Sequence, residues 1–155
     1  AVPSGNSIAA LALLKLGKLT MDSSFTDRAE QLLNTFSGQL KQSPASLTAM
    51  LTSLDFQLGP SQEIVIVGIP EQTDTKKMLE IIRSRFSPHA VILFHDTGAN
   101  GKAIEDIVPF VKGQTAIDGK ATAYVCRDFV CKQPVNDISV LETMLSSEID
   151  SRNEN

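Results

Sequence analysis

The chain has 155 residues, a formal net charge of −4 and 42% hydrophobic residues. Domains commonly have roughly 100–150 residues, so this length predicts one domain, or one domain with a helical extension. The composition is that of a globular protein and argues against disordered and collagen-like classes. Lysine and arginine are scattered, which argues against a nucleic-acid partner, and no stretch approaches the ~20 apolar residues of a membrane span.

The cysteine count and the first residues bear on location and context. Two cysteines are too few for a disulfide-stapled secreted scaffold, which predicts a reducing, cytoplasmic environment. The chain starts at Ala1 without the basic-then-apolar pattern of a signal peptide. We therefore expect a piece of a longer protein. Its first helices would pack against the remainder of the full-length chain or form a homo-oligomer through exposed apolar surface.

Residues 1–60 have the pattern of three helices. The first is apolar on nearly all sides and has Asn6 or Ser7 as a possible N-cap. The second has an amphipathic stripe. The third is expected to turn Leu58 inward and to end there, because Gly59 followed by Pro60 predicts a left-handed cap. The predicted helices cover about 8–19, 26–40 and 45–58.

Residues 61–150 have the pattern of a small α/β domain. Residues 63–68 and 90–94 are aliphatic runs without polar alternation, typical of parallel strands buried on both faces, and a helix over 74–86 between them completes a βαβ unit. That helix is expected to turn five apolar side chains inward: Met78, Leu79, Ile81, Ile82 and Phe86.

The second half of this domain is predicted from shorter signals. A loop is expected over 98–101 and a short helix over 103–108. Asp118-Gly119 indicates a turn between a possible strand at 115–117 and a strand at 121–126. The last helix starts with Asn136 or Asp137 as its cap, and residues 151–155 are expected to fray. The predicted fold class is α/β: a helical section of about three helices, then a small mixed, partly parallel sheet flanked by helices.

Three phrases of the chain resemble a known family. They are Pro3-Ser-Gly-Asn-Ser7 before a leucine-rich helix, Leu58-Gly-Pro60 before the first strand, and Asp118-Gly-Lys-Ala-Thr-Ala-Tyr-Val-Cys126 followed by Phe129-Val-Cys131. Together they resemble the carboxy-terminal part of the thioredoxin-domain-containing proteins of the spermatogenesis-associated, YyaL-type family.

The resemblance implies a particular domain organisation. In that family a thioredoxin-like domain precedes an α/α barrel similar to that of N-acylglucosamine 2-epimerases, and a small α/β segment closes the chain. Residues 1–60 would then be the last barrel helices. The resemblance implies no reaction for these residues and no cofactor.

Cys126 and Cys131 are candidate redox residues, because a thiolate is both a nucleophile and a soft metal ligand. Their four-residue separation does not match the two-residue spacing of thioredoxin-type motifs. A zinc site would need about four ligands, and only His89 and His95 are available to complete a set, so no metal is expected. A reversible disulfide remains open, and two buried thiols acting as small apolar side chains are the favoured interpretation.

Four polar residues are candidate substrate contacts. His95 and Asp96 follow the second strand, where ligands bind in open α/β sheets, although they can equally stabilise the loop by hydrogen bonds. Ser4 and Asn6 would lie at the rim of a barrel cavity, although helix capping also explains polar residues there.

The favoured function is a structural and interaction domain that is not catalytic in isolation. Two alternative functions remain. The chain could form part of the rim of a carbohydrate-processing active site, or it could be a thiol redox module.

Overall fold

The computed structural model describes residues 3–98 and 101–150, with side chains described up to residue 146. The chain divides into two compact units, Ala1–Ser61 and Gln62–Asn155. No helix in the described part of the chain has the length and apolar character needed to cross a membrane.

The first unit is helical. Helix α1 packs against both other helices of the unit, and the buried Ser53 hydroxyl donates a hydrogen bond to the Ser7 carbonyl oxygen (3.1 Å), which ties α3 to α1. The elements are α1 (Gly5–Thr20), α2 (Ser23–Gln42), a 3₁₀ turn (Pro44–Leu47) and α3 (Thr48–Leu58). The three predicted helices are present, with longer bounds for the first two.

Three predicted details of the first unit are wrong. Ser4, and neither Asn6 nor Ser7, is the N-cap of α1, because its Oγ accepts the Ser7 backbone N–H (3.2 Å). Gly59 is extended (φ −78°, ψ 161°) and not left-handed, because a residue that precedes proline is restricted to extended backbone. Leu58, expected to face inward, is 76% exposed at the last position of α3.

The second unit contains a four-stranded mixed sheet. Strand β1 (Gln62–Gly68) lies between β2 (Ala90–Asp96), with which it is parallel, and β3 (Thr122–Arg127), with which it is antiparallel. The short β4 (Val130–Cys131) follows β3 at the other edge. Helices α4 (Thr73–Arg83), α5 (Gly101–Ile107) and α6 (Ile138–Asp150) complete the unit. The predicted α/β class, and the parallel pairing of the two aliphatic runs, are confirmed.

The two faces of β1 are both buried but chemically different. Ile64 and Ile66 lie opposite Val125 and Ala123 of β3 and belong to the apolar core. Side chains from α4 and α6 complete this core, among them Met78, Ile82, Leu141 and Leu145. The alternate residues of β1 lie on the opposite face, because successive strand side chains point to opposite sides. These are Glu63, Val65 and Val67, and all three are buried.

Asp74 connects the start of α4 to the segment that leads into β3. Its carboxylate accepts the backbone N–H groups of Ala121 and Thr75, each at 2.8 Å. The Ala121 N–H is the main reason that the pKa of Asp74 lies below its usual value; burial opposes this lowering, and the Thr75 N–H adds to it. The charged form of Asp74 therefore fixes the loop beside the end of β1.

Several boundaries in the second unit differ from those predicted. His95 and Asp96 are the last residues of β2 and do not follow it, and α5 starts at Gly101. Phe86, expected inside, is 87% exposed because α4 ends at Arg83. Residues 115–117 form no strand beyond an isolated Ile117–Lys120 bridge around the predicted Asp118-Gly119 turn.

The cap of the last helix is confirmed. Asp137 Oδ1 accepts the Ser139 and Val140 backbone N–H groups at 2.8 and 3.2 Å. The tail at 151–155 and part of the predicted loop at 98–101 lie outside the described residues.

Candidate functional site

A cavity of about 280 Å³ lies at the carboxyl end of β2. His95 and Asp96 come from the strand, Gly101 and Glu105 from α5, and Gln114 from the segment after it. In open α/β sheets the carboxyl ends of strands are the usual place for ligands, so the cavity lies where the strand-end residues were expected to act.

His95 is held in place by Glu105 through one of its two ring nitrogens. It is 4% exposed, and its Nε2 lies 3.1 Å from Glu105 Oε1. A carboxylate accepts hydrogen bonds, so this contact assigns the proton of a neutral imidazole to Nε2 and leaves Nδ1 as an acceptor. Nδ1 is buried and has no hydrogen-bond partner in the described part of the chain. Buried polar atoms are rarely left in this state, and each one costs free energy.

Gln114 also has a buried hydrogen-bond acceptor. Its Oε1 is buried and, among the residues that the structure describes, has no hydrogen-bond partner. Two acceptors without donors therefore belong to residues that line one cavity. A ligand with hydroxyl or amine groups has the donors that both atoms lack.

Gly101 allows α5 to start against the end of β2. A Cβ at this position would overlap the Asp96 carbonyl oxygen, and it would lie 3.6 Å from His95 Nε2. Any other residue would displace α5, which carries Glu105, from β2, which carries His95. Asp96 has a local role, because its Oδ1 accepts the Gly98 N–H at 2.7 Å.

Cys126 and Cys131 form a disulfide across the β3–β4 hairpin, in directly opposite positions. Cys126 is buried, whereas Cys131 is exposed on the edge strand. The favoured interpretation as two buried thiols is therefore wrong, because the strand pairing places the residues opposite one another and leaves one of them in solvent. The turn residues Asp128 and Phe129 both have left-handed backbone (φ 47° and 63°), as a two-residue type I′ hairpin turn requires.

Glu63 lies beside this disulfide and was not identified from the sequence. It is 1% exposed and directly opposite Cys126 across the β1–β3 pair. Its Oε2 accepts the backbone N–H of Phe129 at 2.9 Å. The available signal was a single carboxylate at the start of an otherwise aliphatic strand, because a buried acid needs a partner.

The remaining candidates are placed as follows. Ser4 and Asn6 are both exposed at the start of α1 in the first unit, whereas His95 and Asp96 belong to the second. Within the described residues, no group of three or more His, Cys, Asp or Glu side chains is arranged to hold a metal ion. The disulfide also offers no thiolate to zinc.

Curated relatives match nearly the whole chain. Spermatogenesis-associated protein 20 of Rattus norvegicus and that of Homo sapiens are each 31% identical to it over 145 residues, which is 94% of this chain. An uncharacterized protein of Caenorhabditis elegans is 26% identical over 151 residues. The chain spans only 18% of the length of the rat and human proteins.

Two other comparisons gave no match. No family model matches the chain, and no solved structure matches it. The sequence matches make this chain a homologue of one stretch of a much longer protein, spermatogenesis-associated protein 20.

Proposed function

We propose that the chain is a structural and interaction part of a longer protein, not catalytic in isolation, and that its helical unit provides the docking surface. The supporting observation is a groove of about 510 Å³ between α2 and α3. Its floor is apolar and its rim is polar: Leu33, Leu40, Leu51 and Leu54 line it together with Glu30, Asn34, Ser37, Lys41 and Gln57.

The proposed occupant is an amphipathic helix from the remainder of the longer chain. Helices bury an apolar stripe in grooves of this kind, and the mixed rim, with Glu30 and Lys41, suits a helix that has polar flanks of both charges. The length of the relatives supports this choice, because more than four-fifths of each lies outside the matched stretch. By the family resemblance, that region would contain a thioredoxin-like domain and the rest of an α/α barrel.

Hydrogen exchange tests the docking. In the full gene product, amides of α2 and α3 should exchange about tenfold more slowly than in the 155-residue chain, because a docked helix suppresses local opening. Leu54→Asp places a charge in the groove and should abolish this extra protection. Thr52→Asp, an exposed position on the same helix, is the matched control and should retain it.

Three results would contradict the docking proposal. The first is equal exchange in the 155-residue chain and the full gene product. The second is a gene product no longer than this chain. The third is a dimer of the 155-residue chain that Leu54→Asp dissociates, which would make a second copy the occupant.

The cavity at His95 supports a second candidate function, binding of a small polyhydroxyl ligand as part of a carbohydrate-processing site. The supporting observation is the pair of buried acceptors, His95 Nδ1 and Gln114 Oε1, for which hydroxyl groups would be donors. The cavity volume of about 280 Å³ is just below that of pockets for drug-sized ligands, which suits a ligand of monosaccharide size.

Gln114→Leu tests this candidate. Replacing an acceptor that lacks a donor by an apolar group should leave the melting temperature of the free protein unchanged or higher. A panel of neutral hexoses should raise the melting temperature of the wild type and have no effect on the variant. Gln72→Leu, at an exposed position, is the control and should respond like the wild type. Absence of any shift in the wild type would contradict the candidate.

A further inference from the structure

We propose that the Cys126–Cys131 disulfide is a thiol–disulfide exchange site for dithiol substrates, in which the Cys131 sulfur receives the attack and Glu63 is a positioning residue. This goes beyond the docking function and does not depend on it. Three observations carry it: the alignment of the three side chains, the unequal exposure of the two cysteine residues, and the hydrogen bond that Glu63 makes to the hairpin turn.

The three side chains form a row across the sheet. Glu63 lies opposite Cys126 in the β1–β3 pair, and Cys126 lies opposite Cys131 in the β3–β4 pair. Directly opposite residues share a face of the sheet. Glu63 is thus next to the disulfide on the side of β1, whereas Cys131, on the opposite side of the row, lies on the solvent-facing edge strand.

The two cysteine residues differ in exposure. Cys126 is 2% exposed in a strand paired on both sides, whereas Cys131 is exposed in a two-residue edge strand. Exchange depends on which sulfur an attacking thiolate can reach. Attack is therefore directed to Cys131, and Cys126 is the leaving group.

Glu63 holds the oxidised hairpin in shape. The turn residues Asp128 and Phe129 both have left-handed backbone, which is unfavourable for residues other than glycine. The Glu63 carboxylate offsets this by accepting the Phe129 N–H, and the Phe129 ring packs edge-on against Phe110 at 5.8 Å. These contacts favour the hairpin geometry in which the two sulfurs are bonded.

The exchange is balanced with a dithiol as the reductant. A substrate thiolate attacks the Cys131 sulfur; a substrate–Cys131 bond forms, the Cys126–Cys131 bond breaks, and Cys126 leaves as a thiolate that takes a proton from water. The second substrate thiolate then attacks the first substrate sulfur and releases the Cys131 thiolate, which is also protonated. The substrate dithiol loses two electrons and two protons, and the cysteine pair gains them.

Single-cysteine variants of the 155-residue chain test the direction of attack. With glutathione disulfide as the probe, Cys126→Ser should form a mixed disulfide at Cys131 about tenfold faster than Cys131→Ser forms one at Cys126, because exposure controls access. Intact mass gives the rates. Equal rates, or a faster reaction at Cys126, would overturn the assignment.

Reduction of the wild type tests the activity itself. Dithiothreitol should reduce the disulfide under native conditions, without loss of far-ultraviolet circular dichroism, and removal of the reductant in air should restore it. Reduction that occurs only in denaturant would show a purely structural disulfide and overturn the proposal. The proposal would also be overturned if the two thiols stayed reduced in air after the reductant is removed.

The redox equilibrium tests the positioning role of Glu63. In glutathione buffers, Glu63→Ala should shift the equilibrium of the pair toward the dithiol by about tenfold, because the turn loses the acceptor of the Phe129 N–H. Glu63→Gln retains an acceptor for the Phe129 N–H and should shift it less. Glu71→Ala, at an exposed position of the same unit, is the control and should have no effect.

An unchanged equilibrium in Glu63→Ala would remove Glu63 from the proposal. If Glu63→Ala does not fold, the Glu63→Gln equilibrium and the single-cysteine rates decide the matter, since neither measurement needs that variant.

Discussion

Ile66→Ala is expected to lower the free energy of unfolding of the second unit by about 3 kcal/mol. Ile66 is fully buried in the middle of β1, between Phe94 of β2 and Ala123 of β3, within the core that also contains Met78 and Leu141. Truncation removes three buried carbon atoms and leaves a cavity, because strand pairing on both sides prevents β1 from moving inward. Urea unfolding measures this loss of free energy, and hydrogen exchange of the β1 amides is used to monitor it.

Phe86→Ala is the matched control for this prediction. The amphipathic pattern of the sequence predicted Phe86 inside, whereas the structure leaves it 87% exposed beyond the end of α4. Its removal should change the free energy of unfolding by no more than about 0.5 kcal/mol. A loss comparable to that of Ile66→Ala would mean that α4 continues to Phe86, in conflict with the structure.

Gly101→Ala is expected to lower the free energy of unfolding by about 2 kcal/mol or more, because overpacking against a rigid neighbour forces a backbone shift. The clash is with the Asp96 carbonyl oxygen at the end of β2, so no side-chain rotation can relieve it. The shift should also lengthen the contact between His95 and Glu105. The chemical shift of the His95 ring in NMR spectra reports this change, and chemical denaturation gives the free energy.

Gly38→Ala provides the opposite expectation within the same chain. Gly38 lies in the interior of α2, and a Cβ there would have no atom within 4 Å. Alanine should therefore stabilise the first unit by about 1 kcal/mol, since glycine is unfavourable inside a helix. Similar losses at both glycines would contradict the difference in crowding that the structure assigns to them.

The fold was predictable where a local pattern carried the information. The unalternating run at 63–68 predicted a strand buried on both faces, and every residue of β1 is buried. Helix ends were less predictable, since the stripe of α4 continues to Phe86 although the helix stops at Arg83. At Gly59 two local preferences compete. Glycine favours a left-handed cap, but the following Pro60 restricts Gly59 to extended backbone, and the restriction by proline prevails.

The candidate sites were predictable only in part, because they depend on contacts between distant segments. His95 was identified from its place at the end of a strand. Glu105 and Gln114, its companions in the cavity, come from segments whose return to that strand has no local signature. The disulfide and the role of Glu63 depend on the register of β3 with its two neighbours, and a single sequence specifies no such register.

The unequal length of the outer strands has a consequence for self-association. One edge strand of the sheet is β2, which has seven residues, and the other is β4, which has two. So short a strand gives an added chain too few backbone groups to pair with, and short edge strands are a known defence against aggregation. Any extension of the sheet by another polypeptide would therefore start along β2, so a lysine in place of Ile92, exposed on that strand, is the first substitution to try against aggregation.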